Sequence, residues 1–321
     1  MRAEGHPPPE TGSVQPPALS VVVCTRDRPG HLRRAVESIL ASDVADLELL
    51  VVDQSDHGET RALIEGYSAS DDRVRYVRSE GRGLSVARNL GIALARGTCV
   101  AFTDDDCVVT SSWLGRLTEP LRRDPEVALV FGQVRPAARD RGKGFIVGFD
   151  PKRYRKLTGR AAKRRDRGIG ANMALRRIVV QEVGGFDETL GAGAYFASCE
   201  DGDLAYRVLK AGHSIVHEPA AEVMHWGLRD WESGKALTRN TYLAIAAAYY
   251  KHVRCGDWFA LYLIFQEVLA AVGHVLSRLA RGRGPFGFGR LAYLFVGVVR
   301  SYTLRVDRRR LIYLPPSEPS R

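Results

Sequence analysis

Thr98-Cys99-Val100-Ala101-Phe102-Thr103-Asp104-Asp105-Asp106-Cys107 is the stretch on which the fold turns. Its first half is an apolar run that reads as a buried strand, and it ends in three consecutive carboxylates. Adjacent acids repel one another and disfavour a regular strand, so they belong at the strand's carboxyl end with a cation beside them. In open α/β sheets that edge is where ligands bind. Hard oxygen donors select Mg2+ or Mn2+, ions that share their coordination with substrate phosphates. Asp is also an ordinary turn residue, and a solvated acidic turn is the plainer reading of the triplet taken alone.

Working outward from the triplet, residues 19–24 form a β-rich run, and 31–41 have helical spacing, with Leu32, Ala35, Val36, Ile39 and Leu40 on one side and Pro29 near the start. A strand over 47–52 closes on Asp53, a helix spans 60–67, a short strand 74–77, and a helix 84–95 is closed by Gly97. Strand and helix alternating at this pitch predict parallel pairing with helical crossovers. The nearly continuous apolar runs fit strands buried on both faces. Downstream, 113–122 reads as a helix and 127–132 as a strand. Residues 139–167 read as a basic loop carrying Lys143, Lys152, Arg153, Arg155, Lys156, Arg160, Lys163, Arg164 and Arg165. Structure is expected to resume at 170–175, turn at 184–188, and continue as an amphipathic helix over 201–211 and a strand over 214–217.

The 321 residues carry a formal charge of +10, which suits anionic partners such as nucleotides, nucleic acid or an acidic membrane face without choosing among them. The five cysteines lie far apart with no CxxC pair, which argues against a disulfide framework or a zinc site and favours a reducing cytoplasm. Residues 1–18 are proline-rich and lack an apolar core, so they read as a disordered leader and not as a signal peptide. Past residue 230 the composition shifts to Ala/Leu-rich helices over 241–250, 258–276 and 290–300. The second is long, but Gln266, Glu267 and His274 interrupt it. Its aromatics (Trp258, Phe259, Tyr262, Phe265), flanked by Arg278, Arg281 and Arg283, suit an interfacial membrane helix. A helical appendage packed on the catalytic domain or on another subunit fits equally.

Further acids stand at ends of elements: Asp53 after the second strand, and Glu200-Asp201-Gly202-Asp203 at the start of a helix, where acids also serve as capping and dipole residues. With these in place the chain resembles the family 2 glycosyltransferases, inverting enzymes of GT-A fold. The resemblance is carried, in order, by Ser20-Val21-Val22-Val23-Cys24-Thr25-Arg26-Asp27-Arg28, Val51-Val52-Asp53-Gln54-Ser55, Gly83-Leu84-Ser85-Val86-Ala87-Arg88-Asn89-Leu90-Gly91, Phe102-Thr103-Asp104-Asp105-Asp106, Gly184-Gly185-Phe186-Asp187-Glu188 and Glu200-Asp201-Gly202-Asp203-Leu204-Ala205-Tyr206-Arg207. It covers about residues 19–226, so that 19–230 is expected to be the GT-A domain and 231–321 a C-terminal helical, membrane-associated region.

What the resemblance implies is a mostly parallel central sheet with helices on both faces and a nucleoside-diphosphate sugar donor. It implies donor contacts from Thr25, Asp53, Arg82, Asp104 and Asp105. It implies Mg2+ or Mn2+ held by Asp106 with Asp104 and His225, and a general base at Asp201 with Glu200 beside it. The acceptor would be a hydroxyl on a glycan, a lipid-linked sugar or a natural product. The expected place of work is the cytoplasm, with peripheral contact on the inner face of the membrane and no nucleic acid. Two positions depart from the family pattern: Gln54 stands where a second acid is frequent, and Cys107 where an acid or amide is.

The chemistry agrees. A hydroxyl is a poor nucleophile at neutral pH and needs a carboxylate to take its proton, while a departing diphosphate needs positive charge. Two acidic sites are required, one for each side of the reaction. A dinucleotide-dependent oxidoreductase would place G-x-G-x-x-G after the first strand, where Thr25-Arg26-Asp27-Arg28-Pro29-Gly30 stands instead. A nucleotidyltransferase of related fold, or a non-catalytic binder of nucleic acid, are the alternatives from other classes.

Overall fold

A computed structural model describes residues 17–137, 144–166, 168–282 and 287–315. The leader expected over 1–18 lies almost wholly outside these residues, as do Lys143 and Arg283. In chain order the elements are β1 (Leu19–Thr25), α1 (Pro29–Leu40), β2 (Leu47–Asp53), α2 (Glu59–Ser68), β3 (Val74–Arg78), α3 (Leu84–Leu94), β4 (Cys99–Asp104), β5 (Cys107–Val109), α4 (Trp113–Arg123), β6 (Val127–Pro136), β7 (Phe145–Ile146) and β8 (Arg155–Leu157). There follow β9 (Asn172–Arg176), α5 (Arg177–Glu182), α6 (Glu200–Lys210), β10 (Ser214–His225), β11 (Leu228–Arg229), α7 (Trp231–Arg254), α8 (Trp258–Leu279), α9 (Phe288–Ser301), β12 (Val306–Asp307) and β13 (Ile312–Tyr313).

Among the described residues, one nine-stranded sheet runs β3-β2-β1-β4-β9-β6-β10-β5, with β8 also on β10. The pairs β1–β2, β1–β4, β2–β3 and β6–β10 are parallel, whereas β9 enters antiparallel between β4 and β6. Alternate strand residues serve two cores. Val21, Val23, Leu49 and Val51 pack under α1, α2 and α4 through Leu32, Ile39, Ile64, Trp113 and Leu117. Val22, Leu50 and Val52 pack under α3, α5 and α6 through Ala87, Ile92, Val180, Leu204 and Val208. This period-2 alternation with apolar residues on both sides is why the strands read as unbroken apolar runs. Each fully buried Val or Leu contributes about 1.5–3 kcal/mol over an exposed one.

The segment read as a loop over 139–167 is more structured than expected where it is described. β8 pairs antiparallel with β10, and a 3-10 turn spans Arg160–Arg165. The turn forms because Lys163 and Asp166 bury together, Nζ to Oδ2 at 2.8 Å, with His217 Nε2 3.0 Å from the other Asp166 oxygen. A basic run gives no periodicity by which to foresee an ion pair made three residues apart.

The C-terminal helices pack on the sheet domain. Ala244, Ala247 and Ala248 of α7 share a core with Leu190, Phe196, Leu304 and Tyr313. Ala260, Leu263 and Ile264 of α8 meet Tyr206 and Tyr249. A buried charge network joins the two parts. Lys251 Nζ on α7 reaches Asp187 Oδ2 at 2.6 Å and Asp203 Oδ1 on α6 at 2.9 Å. Asp203 also takes Arg207 Nε at 2.9 Å and His252 Nε2 at 3.1 Å. The backbone N–H of Tyr313 donates to Asp187 at 2.8 Å.

Candidate active site

The site forms at the carboxyl ends of β1, β2 and β4, where the strand register sets the neighbours. Cys24 pairs with Asp104 across β1–β4, and Thr25 pairs with Asp53 across β1–β2. Thr25 Oγ1 donates to Asp105 Oδ2 at 2.7 Å. Arg28 Nη1 lies 3.4 Å from Asp105 Oδ1 and 3.5 Å from Asp106 Oδ2. Burial pushes the Asp105 carboxyl up to about 6 against the lowering pull of Thr25 and Arg28. Asp105 therefore faces inward and ties the triplet to β1, while Asp104 and Asp106 face the cleft. Asp104 is a third exposed on the cleft floor, with protein on its other sides, and burial raises its pKa.

His225 reaches Asp106 through the sheet. At the end of β10 it pairs with Cys107 on antiparallel β5, which sets its ring beside the triplet. The ring is buried; Nδ1 lies 2.8 Å from the Val147 carbonyl and Nε2 3.2 Å from Asp106 Oδ1. A carbonyl only accepts, so Nδ1 carries a hydrogen and Nε2 is the nitrogen turned to Asp106. Burial alone would raise the Asp106 pKa, but the bond and charge of His225 outweigh it and hold the carboxyl below its ordinary range. Asp106 Oδ1 is fully buried yet accepts no well-aligned hydrogen bond from the described residues. Gly227 leaves room here: a Cβ on it would lie 2.5 Å from Asp106 Oδ2 and 2.7 Å from His225 Nε2. Asp106, Cys107 and His225 offer donor atoms within 4.8 Å of one another. The Cys107 thiol is pushed well up by burial and stays protonated, so the donors suited to a hard cation are the carboxylate and the imidazole. A cavity of about 230 Å3 opens on Asp106 between Arg28, His31, Trp226 and Gly227.

The second acidic group arrives from α6. Cys199, just before the helix, adopts a left-handed backbone conformation (φ 71°), uncommon for a side-chain-bearing residue. This bend brings Glu200 and Asp201 to the cleft at the helix N-terminus. Asp201 Oδ2 accepts the Gly170 N–H at 2.8 Å and Oδ1 the Gly202 N–H at 2.6 Å. Glu200 is buried, and burial reinforced by the charge of Asp201 pushes its carboxyl up to about 7.

Arg88 joins the two groups. Its buried guanidinium donates from Nη1 to Glu200 Oε1 at 3.0 Å and from Nη2 to Asp104 Oδ1 at 3.5 Å. Gly170 makes the close approach possible, since a Cβ there would lie 2.6 Å from Arg88 Nη2. Acids nearly 100 positions apart in sequence are thus walls of one cleft. The sequence reading quoted Arg88 in a motif but assigned it no role. The available signal was a cation inside the apolar pattern of α3.

The other expected residues lie farther out. Asp53 is wholly buried, with Oδ1 accepting the Ser55 N–H at 2.8 Å and Oδ2 the Tyr76 hydroxyl at 2.9 Å. Arg82 is exposed at the cleft mouth and pairs with Asp56, which also meets Arg26 at 3.3 Å. Gln54 has a structural job: its amide donates to the Gly81 and Gly83 carbonyls at 2.6 and 3.1 Å, pinning the turn that starts α3. An ionised acid there would face those carbonyls with no hydrogen to donate.

Residues 20–184 match the model of the family "Glycosyl transferase family 2". The chain belongs to that family. This glycosyltransferase is 28% identical over 218 residues to the glucosyl-dolichyl phosphate glucuronosyltransferase of Haloferax volcanii, covering 64% of this chain and 68% of that protein. It is also 28% identical over 309 residues to the pre-mycofactocin glycosyltransferase of Mycobacterium tuberculosis, covering 92% of this chain but only 58% of the relative. Among solved structures, a mannosyltransferase from Pyrobaculum calidifontis in complex with GDP-Man and Mn2+ superposes with a TM-score of 0.59 at 16% identity, covering 90% of this chain and 88% of that one. S. aureus TarS superposes at 0.55 and 15% identity, over 72% of this chain and 64% of that one. At such identities the likeness speaks for the fold, which is the GT-A fold the resemblance implied. As a glycosyltransferase, the chain is neither a nucleotidyltransferase nor a non-catalytic nucleic-acid binder.

Proposed function

We propose that this enzyme transfers a sugar from a nucleoside-diphosphate sugar to a hydroxyl acceptor in one displacement with inversion at the anomeric carbon. The observation that carries the reading is the Arg88 guanidinium between Asp104 and Glu200, which makes the triplet and the α6 carboxylates two sides of one cleft.

On the donor side, Thr25 and Asp104 line the end of the sheet and contact the nucleotide, with the inward-facing Asp105 holding Thr25 in place from beneath. Asp53 shapes the base pocket from beneath Tyr76. Arg82 adds positive charge at the mouth. Asp106, with Asp104 and His225, holds Mg2+ or Mn2+. The fit is supported by the buried Asp106 Oδ1, which lacks a well-aligned hydrogen bond, by the orientation of His225 Nε2, and by the space left at Gly227. When bound, the cation supplies positive charge against the departing diphosphate. The similar folds that hold GDP-Man with Mn2+, or UDP with GalNAc and Mn2+, support this assignment.

On the acceptor side, an Asp201 oxygen takes the hydroxyl proton as the new C–O bond forms and the anomeric bond to the diphosphate breaks, its electron pair leaving with the phosphate. The Gly170 and Gly202 N–H groups hold that carboxylate in place. Glu200 lies behind it and keeps Arg88 aligned. Two relatives are named for polyprenyl-linked substrates, glucosyl-dolichyl phosphate and a diphospho-undecaprenol glycan, which favours a lipid-linked acceptor. The reading includes a cytoplasmic location with peripheral contact on the inner face of the membrane, supported by the exposed apolar face of α8.

The test is release of nucleoside diphosphate from a panel of nucleotide sugars in Mn2+, Mg2+ or EDTA, with the product anomer read by NMR. Turnover should require the cation and be lost in Asp106→Ala. Full activity of that variant in EDTA would reject the metal assignment. A retained anomer would reject the single displacement.

A further inference from the structure

Helix α8 turns a continuous apolar stripe to solvent: Trp258, Tyr262, Phe265, Leu269, Val272, Leu276 and Leu279, spaced alternately four and three residues apart, are all exposed. α9, which touches α8, does the same with Phe288, Phe295, Val299 and Tyr302. An exposed apolar surface of this extent marks an interaction face. By length and composition α8 is apolar enough to cross a membrane. Its opposite side, however, packs Ala260, Leu263 and Ile264 on Tyr206 and Tyr249, so it lies along the domain.

The charges around this face choose its partner. At the α8 N-terminus the Arg160 guanidinium sits 5.4 Å from the Phe259 ring and Arg164 sits 5.5 Å from Tyr262. Arg165, next in the chain, lines an open cavity of about 600 Å3 with Arg153 and Arg155. At the far end stand Arg278 and Arg281, and Arg300 lies in the last turn of α9. Glu267, half-buried, is the one acid within the two helices; Asp257, which caps α8, is buried and shared between Arg160 and Lys210, so the end keeps a net positive charge. An isologous dimer would bring one cationic end of α8 against another in either direction. An anionic bilayer meets the apolar stripe with acyl chains and both cationic ends with phosphates.

We infer that α8, its arginine-rich 3-10 turn and the neighbouring face of α9 form an in-plane docking surface for anionic lipid, with the cavity of Arg153, Arg155 and Arg165 taking a headgroup phosphate. The inference rests on the peripheral-membrane reading above and does not depend on the donor chemistry. The aromatic N-terminal end of α8 sits at the interface, where such rings concentrate.

The full chain is tested by flotation with phosphatidylcholine vesicles and with vesicles containing about one-third phosphatidylglycerol. The wild type should float only with the anionic vesicles, and raising salt from about 0.1 to 0.5 M should release it. Phe265→Glu with Leu276→Glu, both exposed and outside the active site, should lower vesicle partitioning by at least about tenfold. Arg153→Glu with Arg165→Glu should abolish the preference for anionic lipid. Thermal unfolding and soluble nucleotide-sugar hydrolysis of both variants should match the wild type. A wild type that ignores both vesicles overturns the inference. So does one that light scattering shows as a dimer dissociated by Phe265→Glu with Leu276→Glu, since the face then belongs to a second copy. Vesicle binding without hydrolysis of any nucleotide sugar leaves docking standing and rejects the proposed nucleotide-sugar donor chemistry instead.

Discussion

Lys251→Met probes how far the C-terminal helices belong to the catalytic unit. Lys251, Asp187 and Asp203 are wholly buried, and the ammonium is shared between the two carboxylates at 2.6 and 2.9 Å. Arg207 remains for Asp203, but Lys251 is the one cation paired with Asp187 among the described residues. Met keeps the length and apolar bulk, so the loss is mainly one of charge. Removing one partner of a buried pair costs about 3–5 kcal/mol because the remaining charge is left uncompensated. Against a total stability of about 5–15 kcal/mol this is a large share. At about 2–4 °C per kcal/mol for a domain this size, the melting midpoint should fall by about 6–20 °C. Thermal and urea unfolding, followed by circular dichroism, measure it. Adding Asp187→Asn to Lys251→Met should restore at least about 1 kcal/mol, because the stranded charge is then gone. A single variant melting within about 2 °C of the wild type would refute the reasoning. So would a double variant less stable than the single one. The same logic predicts that a chain cut after residue 230, lacking Lys251, His252 and Tyr313, does not fold stably.

Three further outcomes follow from the geometry. Asp201→Asn keeps the size, but its single amide oxygen can accept from only one of the Gly170 and Gly202 N–H groups and it cannot take a proton, so kcat should fall by about 100-fold or more while donor affinity holds; a collapse of donor affinity in titration calorimetry would move Asp201 to the nucleotide site. Gly170→Ala drives a methyl against the Arg88 guanidinium, a clash of about 1–3 kcal/mol that should displace the bridge and lower kcat more than it lowers the melting midpoint; unchanged kinetics would contradict it. His252 is held neutral, because burial pushes its pKa down to about 4 and its Nδ1 has no partner for a second hydrogen among the described residues. Its pKa is lowered on folding, so the unfolded chain binds the extra proton, and this term falls as pH drops from about 7 to about 5, by about 2 kcal/mol; a His252→Gln variant with an equally steep urea-midpoint decline over that range would rule the histidine out.

Sequence alone determined the run of strands and helices through residue 136, except for the three-residue β5, and the acids at their ends. Alternation of two buried faces and helical spacing are local properties, and each strand's apolar run is its own record of burial on both sides. It also singled out Asp104, Asp106, Glu200 and Asp201, since acids at ends of elements are conspicuous without any contact being known, whereas His225 was marked only by the resemblance to the family. Their distances depended on pairing between remote segments. The antiparallel register of β5 on β10 sets His225 beside Asp106, and antiparallel β9 brings Gly170 between Arg88 and Asp201. The wholly buried state of Asp53, the clamp made by Gln54 and the network of Lys251 with Asp187 and Asp203 were likewise invisible. A charged side chain looks the same in sequence whether it faces water or a buried partner, and only the tertiary structure decides which charges are desolvated together. The α8 helix shows this most plainly: its apolar residues were legible, but which half packs on Tyr206 and which faces solvent was settled by the fold.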